Sequence, residues 1–359
     1  MKKSLLLTFF IISLTTNEAL ADLQIKGFGS IVAGSVIKGD GYIADYPNLG
    51  VYENKFDVSQ ETRLGLQAKA QIDDKLAATV QVMTRSANDY DPEVEWLYAS
   101  YKINSDNYFQ IGRMRMPVYY YSDFMDVGYA YPWLRIPADT YSLDITNFNG
   151  IKINTKTKFG DLFVKTTLYT GQEKNQNNEL MSYLFESFTT NIDRQFDNIF
   201  GVVLDTSINN VTLRATYTQS DMIETQTYGD GSDADVKFDI EFYDIFLKYD
   251  FETGISVMAE YNKYKPFYES YFGSIIYQVD DISYYLSLSK FDLDTPFEEH
   301  DTISVGLRYD FSSYAIKFDI STMNDNGFNP FTGQSNPVYH KATDDGDVTT
   351  ASISLDFVF

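Results

Sequence analysis

The chain ends in TTASISLDFVF, and the ending alternates. Ile353, Leu355, Phe357 and Phe359 fall on one parity, and Ser352, Ser354, Asp356 and Val358 on the other. A period of two marks a strand with one apolar and one mostly polar face. With no chain left to cover it, an aromatic face of this kind has hydrocarbon as its natural solvent. Hydrocarbon in turn demands that every backbone group be paired, which for strands means a closed barrel.

The same period runs through the chain. In TISVGLRYDF, Ile303, Val305, Leu307, Tyr309 and Phe311 oppose Thr302, Ser304, Gly306, Arg308 and Asp310. In GIKINTKTKF, Lys152, Asn154, Lys156 and Lys158 oppose Ile151, Ile153, Thr155, Thr157 and Phe159. A water-soluble sandwich shows such alternation too. The connections separate the two. Tight turns are expected at 73–74, 104–107, 160–161, 207–210, 252–254, 280–281 and 312–313. Longer stretches are expected at 37–59, 86–92, 114–147, 171–195, 221–236, 265–272, 291–300 and 324–347. Short and long alternate, which places all long loops at one end, as in a membrane barrel.

The reading is therefore an all-β, transmembrane, antiparallel barrel of about sixteen strands in one domain, 22–359. The strands begin near 22, 60, 75, 93, 108, 148, 162, 196, 211, 237, 255, 273, 282, 301, 314 and 348. The last strand closes on the first, around DLQIKGFGSIVAGSV. Register follows from energy. A slip of one residue in GIKINTKTKF would put Lys152, Lys156 and Lys158 on lipid, at roughly 2–4 kcal/mol each near the midplane. The same test sends Lys165, Arg214, Lys248, Arg308 and Lys317 inside.

The front end reads as an export signal. Lys2 and Lys3 precede an apolar run from Leu5 to Leu14 and then Ala19-Leu20-Ala21, so removal after Ala21 is expected. The run is too short for a spanning helix. Cysteine is absent, which excludes disulfides, thiol catalysis and thiolate metal sites. With 28 Lys and Arg against 51 Asp and Glu, the chain has no basic footprint for nucleic acid. Its 44% hydrophobic and 16% aromatic content argues against disorder. His300 and His340 lie in connections with no partner at informative spacing, and neither G-x-S-x-G nor H-E-x-x-H occurs. No enzyme, cofactor or metal is expected. The acidic DGSDAD and NDNG stretches lack a full calcium-loop spacing.

These features resemble a known family. Phe359 with its alternating approach looks like the assembly signal of outer-membrane barrels. LQIKGFGSIVAG is similar to the first strand of Gram-negative porins, and QIGRMRMP resembles the G-R-x-x-x-P junction before their constriction loop. The resemblance implies a sixteen-stranded homotrimer in the outer membrane, among lipid and lipopolysaccharide, assembled by the barrel assembly machinery, with the third external loop folded into the lumen. The chain departs from the best-known members in two places. MPVYYYSDFMDVGYAYPWLRIP replaces their Pro-Glu-Phe-Gly-Gly type constriction motif, and the second loop, 86–92, is short for a subunit-latching role.

The candidate site is the narrowest part of the lumen. Stretch 114–147 is the longest connection, and it is aromatic. Tyr119, Tyr120, Tyr121, Phe124, Tyr129, Tyr131 and Trp133 gain burial if it folds against the inner wall. They either pack the loop or form a stacking track for sugars. Arg113, Arg115 and Arg135 stand against Asp123, Asp126 and Asp139. They either brace the loop by ion pairs or set a transverse field across the pore. Lys152, Lys156, Lys165, Arg63 and Lys69, with Lys26 and Lys102, make the wall basic. Either nearby acids balance them or they select anions. The expected function is passive diffusion of small hydrophilic solutes and ions. The alternatives are a specific channel for anions or oligosaccharides, or a plugged structural or adhesive barrel.

Overall fold

The computed structural model describes residues 22–39, 41–185, 189–294, 298–327 and 346–359. The leader expected at 1–21 and His340 lie outside the described residues. Strand β1 (Asp22–Lys38) leads through a small hairpin, β2 (Tyr42–Asp45) and β3 (Gly50–Tyr52), to β4 (Arg63–Gln71). Then come β5 (Leu76–Arg85), β6 (Glu93–Lys102), β7 (Asn107–Arg115), β8 (Asn147–Phe159) and β9 (Leu162–Asn175). A short helix, α1 (Glu179–Leu184), precedes β10 (Asn191–Ile208), β11 (Val211–Thr227), β12 (Asp233–Asp250) and β13 (Ile255–Lys265). The last five are β14 (Tyr268–Val279), β15 (Ile282–Leu293), β16 (Glu299–Asp310), β17 (Tyr314–Asp325) and β18 (Val348–Val358).

Strand β1 and strands β4 to β18 form one closed antiparallel barrel of sixteen strands, in which β1 pairs with both β18 and β4. Each expected strand is present and begins within five residues of its predicted start. Closure leaves no free sheet edge.

The two faces separate as the register argument requires. Ile303, Val305, Leu307, Ile316, Phe318, Ile353 and Leu355 are exposed on the outside. Arg308, Lys317, Ser352, Ser354 and Asp356 are buried inside. Lys152 and Arg214 are also buried inside, at register positions opposite Tyr169 and Phe246.

Two stretches expected as long loops are not loops. In 221–236, β11 and β12 stay paired down to Thr227 and Asp233, and the connection is only 228–232. The segment is polar, but polar cross-strand bonds hold it: Thr225 Oγ1 donates to Asp235 (2.7 Å) and Thr227 Oγ1 to Asp233 (2.8 Å). In 265–272, Tyr264 pairs with Tyr268, and only 266–267 turns. Tyrosine-rich strand ends at that rim had read as loop. The tight turns expected at the other end all form.

The 116–146 connection does not leave the barrel. Its apolar side packs on the inner wall from β8 to β15, forming a core that includes Tyr119, Tyr121, Tyr131 and Trp133 with Phe148, Tyr169, Phe242, Phe246 and Phe272. The β2–β3 hairpin also turns inward. Ile43 and Tyr46 meet Ala138 of the inserted loop and Leu180 of α1, covering the loop from the long-connection end.

Candidate functional site

The inserted loop is held by the wall at many points. Arg214 on β11 donates to the carbonyls of Pro117 (3.0 Å) and Tyr120 (3.3 Å). Glu260 on β13 accepts from Tyr120 N (2.9 Å) and Tyr141 Oη (2.7 Å). Trp133 Nε1 donates to Ser274 on β14 (2.9 Å), and Leu134 N to Tyr285 Oη on β15 (3.2 Å). Arg308 on β16 donates to the carbonyls of Tyr129 and Tyr131, and Lys317 on β17 to those of Gly128 (2.6 Å) and Trp133 (2.7 Å). A tight approach fixes the tip. A Cβ on Gly128 would collide with Asp356 and Ser30, so glycine alone lets the loop touch β18 and β1.

The aromatic residues of the loop pack it. Tyr120 stacks on Phe246 at 3.7 Å, Tyr119 meets Tyr141 at 4.4 Å, and Trp133 sits edge-on to Phe272 at 5.1 Å. Of those singled out in the sequence, Tyr119, Tyr121, Tyr131 and Trp133 are buried between loop and wall, while Phe124 is exposed. Two of the expected charges are buried with them. Arg135 forks onto Glu61 (2.9 and 2.8 Å) and reaches Ser352 and, at 3.5 Å, Asp319. Asp139 accepts from Ser289 (2.7 Å) and lies 3.4 Å from His300, whose ring stacks on Phe291. Arg63 bonds the Tyr131 hydroxyl (2.8 Å) and stands 3.8 Å from Asp45.

Asp126 is the centre of a second cluster. It binds Arg115 and, at 3.0 Å, Arg85 on β5. Glu95 on β6 completes the set, 2.6 Å from Arg85 and 3.8 Å from Arg115, and accepts from Asn147. Burial alone would raise the Asp126 carboxyl. The guanidiniums of Arg85, Arg115 and Arg63 outweigh that and hold it well below the usual carboxylate range. Neither Arg85 nor Glu95 was singled out in the sequence. Arg85 is the last residue of its strand. Glu95 sits at a register shift, where Gln81 pairs with Trp96 and Val82 with Val94. The irregularity turns Glu95 inward beside Trp96, and simple alternation does not show it.

This cluster lies between two chambers. On the tight-turn side is a vestibule of about 840 Å³, lined by Arg115, Asp123, Phe124, Lys152, Lys165 and Arg214 among others. It continues into a space of about 750 Å³ lined by Lys26, Lys69, Lys75, Lys102 and Asp74. The two share Lys26, Gln67, Tyr98, Tyr108 and Gln110. Lys156 stands over the Tyr108 ring at 5.8 Å. On the long-connection side is a chamber of about 490 Å³, with Glu93, Glu95, Asp144, Glu173 and Glu179 against Arg85, Arg113 and Lys174. Arg113 lines this chamber, clamped on Glu173 at 2.9 Å, while Arg115, two residues further along β7, turns to Asp126.

A closed antiparallel barrel of sixteen strands, apolar outside, with one connection folded across a charged lumen, is the architecture of a porin. No family model matches the sequence, and no curated protein does. Solved structures do match the fold. OmpF of Salmonella typhi, in complex with daunomycin, aligns at TM-score 0.61 and 14% identity over 95% of this chain and 98% of its own. An anion-selective porin from Comamonas acidovorans aligns at 0.57 and 12% identity, covering 94% of this chain and all of that one (100%). The trimer form of OmpT, an outer-membrane protein of Vibrio cholerae, aligns at 0.57 and 13% identity, covering 95% and 100%. The fold of this chain is that of the sixteen-stranded outer-membrane porins.

Proposed function

We propose that this protein is an outer-membrane porin, a water-filled channel for small hydrophilic solutes and ions. One observation carries the reading. The 116–146 loop is tied to the inner wall on strands β11 to β18, leaving polar, charged chambers on both sides inside a barrel whose outer face is apolar. A lumen of sixteen strands exceeds what side chains alone can fill. The mature chain begins after Ala21, the tight turns face the periplasm, and the protein assembles as a homotrimer, like the trimeric structure with the same fold. Planar-bilayer recording tests the reading: stepwise conductance is expected, and no steps at any voltage would sink it.

A second reading concerns substrate. The vestibule on the tight-turn side has eight basic residues in its lining and two acidic ones, Asp74 and Asp123. That favours small organic or inorganic anions over neutral sugars. The loop aromatics do not offer a stacking track, because most are used in packing. Reversal potentials in a salt gradient, with block by candidate anions, distinguish selective from general diffusion.

A further inference from the structure

We propose that the lumen rectifies ion current, because its fixed charge changes sign along the axis. The inference rests on the channel reading above.

The two sides of the inserted loop differ in composition. Lys26, Lys69, Lys102, Lys152 and Lys165 line the tight-turn side, and no ion pair within 4 Å engages Lys26, Lys69, Lys102 or Lys152 among the described residues. Lys152 donates its ammonium to the Arg115 carbonyl, at 2.5 Å, and shares the vestibule with Asp123. The turns at this end carry Asp73, Asp106, Asp161, Glu252, Asp280 and Asp281, but these are exposed and outside the chamber lining. On the long-connection side acids outnumber bases in the lining. The connections at 86–92 and 228–232 add Asp89, Asp91 and Asp230 and contain no lysine or arginine. The buried Arg85–Glu95–Arg115–Asp126 cluster, whose charges cancel, marks the boundary.

Charged walls of low dielectric raise the local concentration of counter-ions. Cations therefore carry most current on the long-connection side and anions on the tight-turn side. When the long-connection side is positive, cations enter from one end and anions from the other. Both accumulate at the boundary, and conductance is high. With the opposite polarity both are drawn away, and the boundary is depleted. The effect depends on screening, since the Debye length is about 10 Å at 0.1 M salt and about 3 Å at 1 M.

The test is single-channel recording of the full-length protein in symmetric KCl. Orientation is marked by Gly229→Cys, the sole thiol in the chain, tagged from one side with a bulky maleimide; a Cβ there meets nothing within 4 Å. The expected current at 0.1 M is about twofold larger with the long-connection side positive, and symmetric at 1 M. In Lys69→Gln/Lys75→Gln/Lys102→Gln, three exposed positions, the ratio falls toward one while conductance persists. A symmetric wild type at 0.1 M, the opposite polarity, or an unchanged ratio in the triple variant overturns the proposal and leaves the channel reading standing. An absence of any conductance overturns the channel reading itself.

Discussion

Phe359 lays its ring over Gly27 across the seam where the barrel closes. The backbones exchange both bonds, Gly27 N to Phe359 O at 2.8 Å and Phe359 N to Gly27 O at 2.9 Å. A Cβ on Gly27 would fall within the Phe359 ring, and one on Gly29 would press on Phe357 at 2.7 Å. The two glycines of KGFGS thus make room for the two aromatics of DFVF. Gly27→Ala is expected to destabilise the barrel by about 1–3 kcal/mol, as overpacking does. Phe359→Ala, which removes the obstacle, should make Gly27→Ala nearly neutral. Urea unfolding in detergent, read as a double-mutant cycle, checks this. Additive effects would mean that the ring and the glycine do not share the space.

Lys317 is fully buried, at 0% exposure, and has three kinds of partner. It donates to the carbonyls of Gly128 and Trp133, pairs with Asp356 at 3.2 Å, and lies 4.6 Å from the Tyr131 ring centroid. Lys317→Met keeps the volume and removes the charge. Asp356 would then be a buried acid with Ser30 and Ser354 as its remaining bonds. Breaking a buried pair in this way costs about 3–5 kcal/mol. The expected result is a lower unfolding midpoint together with a noisier open channel, since the loop tip loses its anchor. Lys317→Met/Asp356→Leu should recover part of the stability.

Asp126 joins the loop to two arginines of the wall, and its carboxyl is held below the usual range by them. A depressed folded value contributes stability at all pH above the unfolded value of about 3.9, and that stability is lost progressively as pH falls from there through the folded value. Stability should therefore show no loss from this group between neutral pH and about 4. Below that the wild type should weaken steeply, whereas Asp126→Asn should start lower and show a shallower acid limb. Equilibrium unfolding across pH gives the comparison; parallel acid limbs in the two proteins would contradict the linkage.

Strands were legible in the sequence because lipid enforces the period. Every lysine on the wrong parity is penalised, so GIKINTKTKF and TISVGLRYDF admit one register each. The rims were less legible. Past the hydrocarbon no such penalty acts, and β11 and β12 continue on threonine–aspartate pairs that composition alone assigns to a loop. The inserted loop could be found from its aromatics. Its wall partners could not, because Arg85 and Glu95 are positioned by a strand end and a bulge. Arg113 and Arg115 read as a pair in QIGRMRMP. Both lie on β7, but their side chains diverge, Arg113 to Glu173 and Arg115 to Asp126.

That separation gives a final expectation. Arg115 is 3% exposed, bonded to Asp126, and lines the tight-turn vestibule. Arg113, two residues earlier on β7, is partly exposed, and its Nη1 donates to both carboxylate oxygens of Glu173. Arg115 belongs to the charge cluster between the chambers, whereas the charge of Arg113 is taken up by Glu173, so Arg115 should bear more on permeant ions. Arg115→Gln is expected to shift the reversal potential toward cations, because Arg85 is then the one ion-pair partner left to Asp126 and Glu95 among the described residues. Arg113→Gln frees one carboxylate in an already acidic chamber and should move the potential less. Asp126→Asn should move it the opposite way, toward anions. If Arg113→Gln shifts selectivity as much as Arg115→Gln, the pairing with Glu173 does not silence the charge of Arg113.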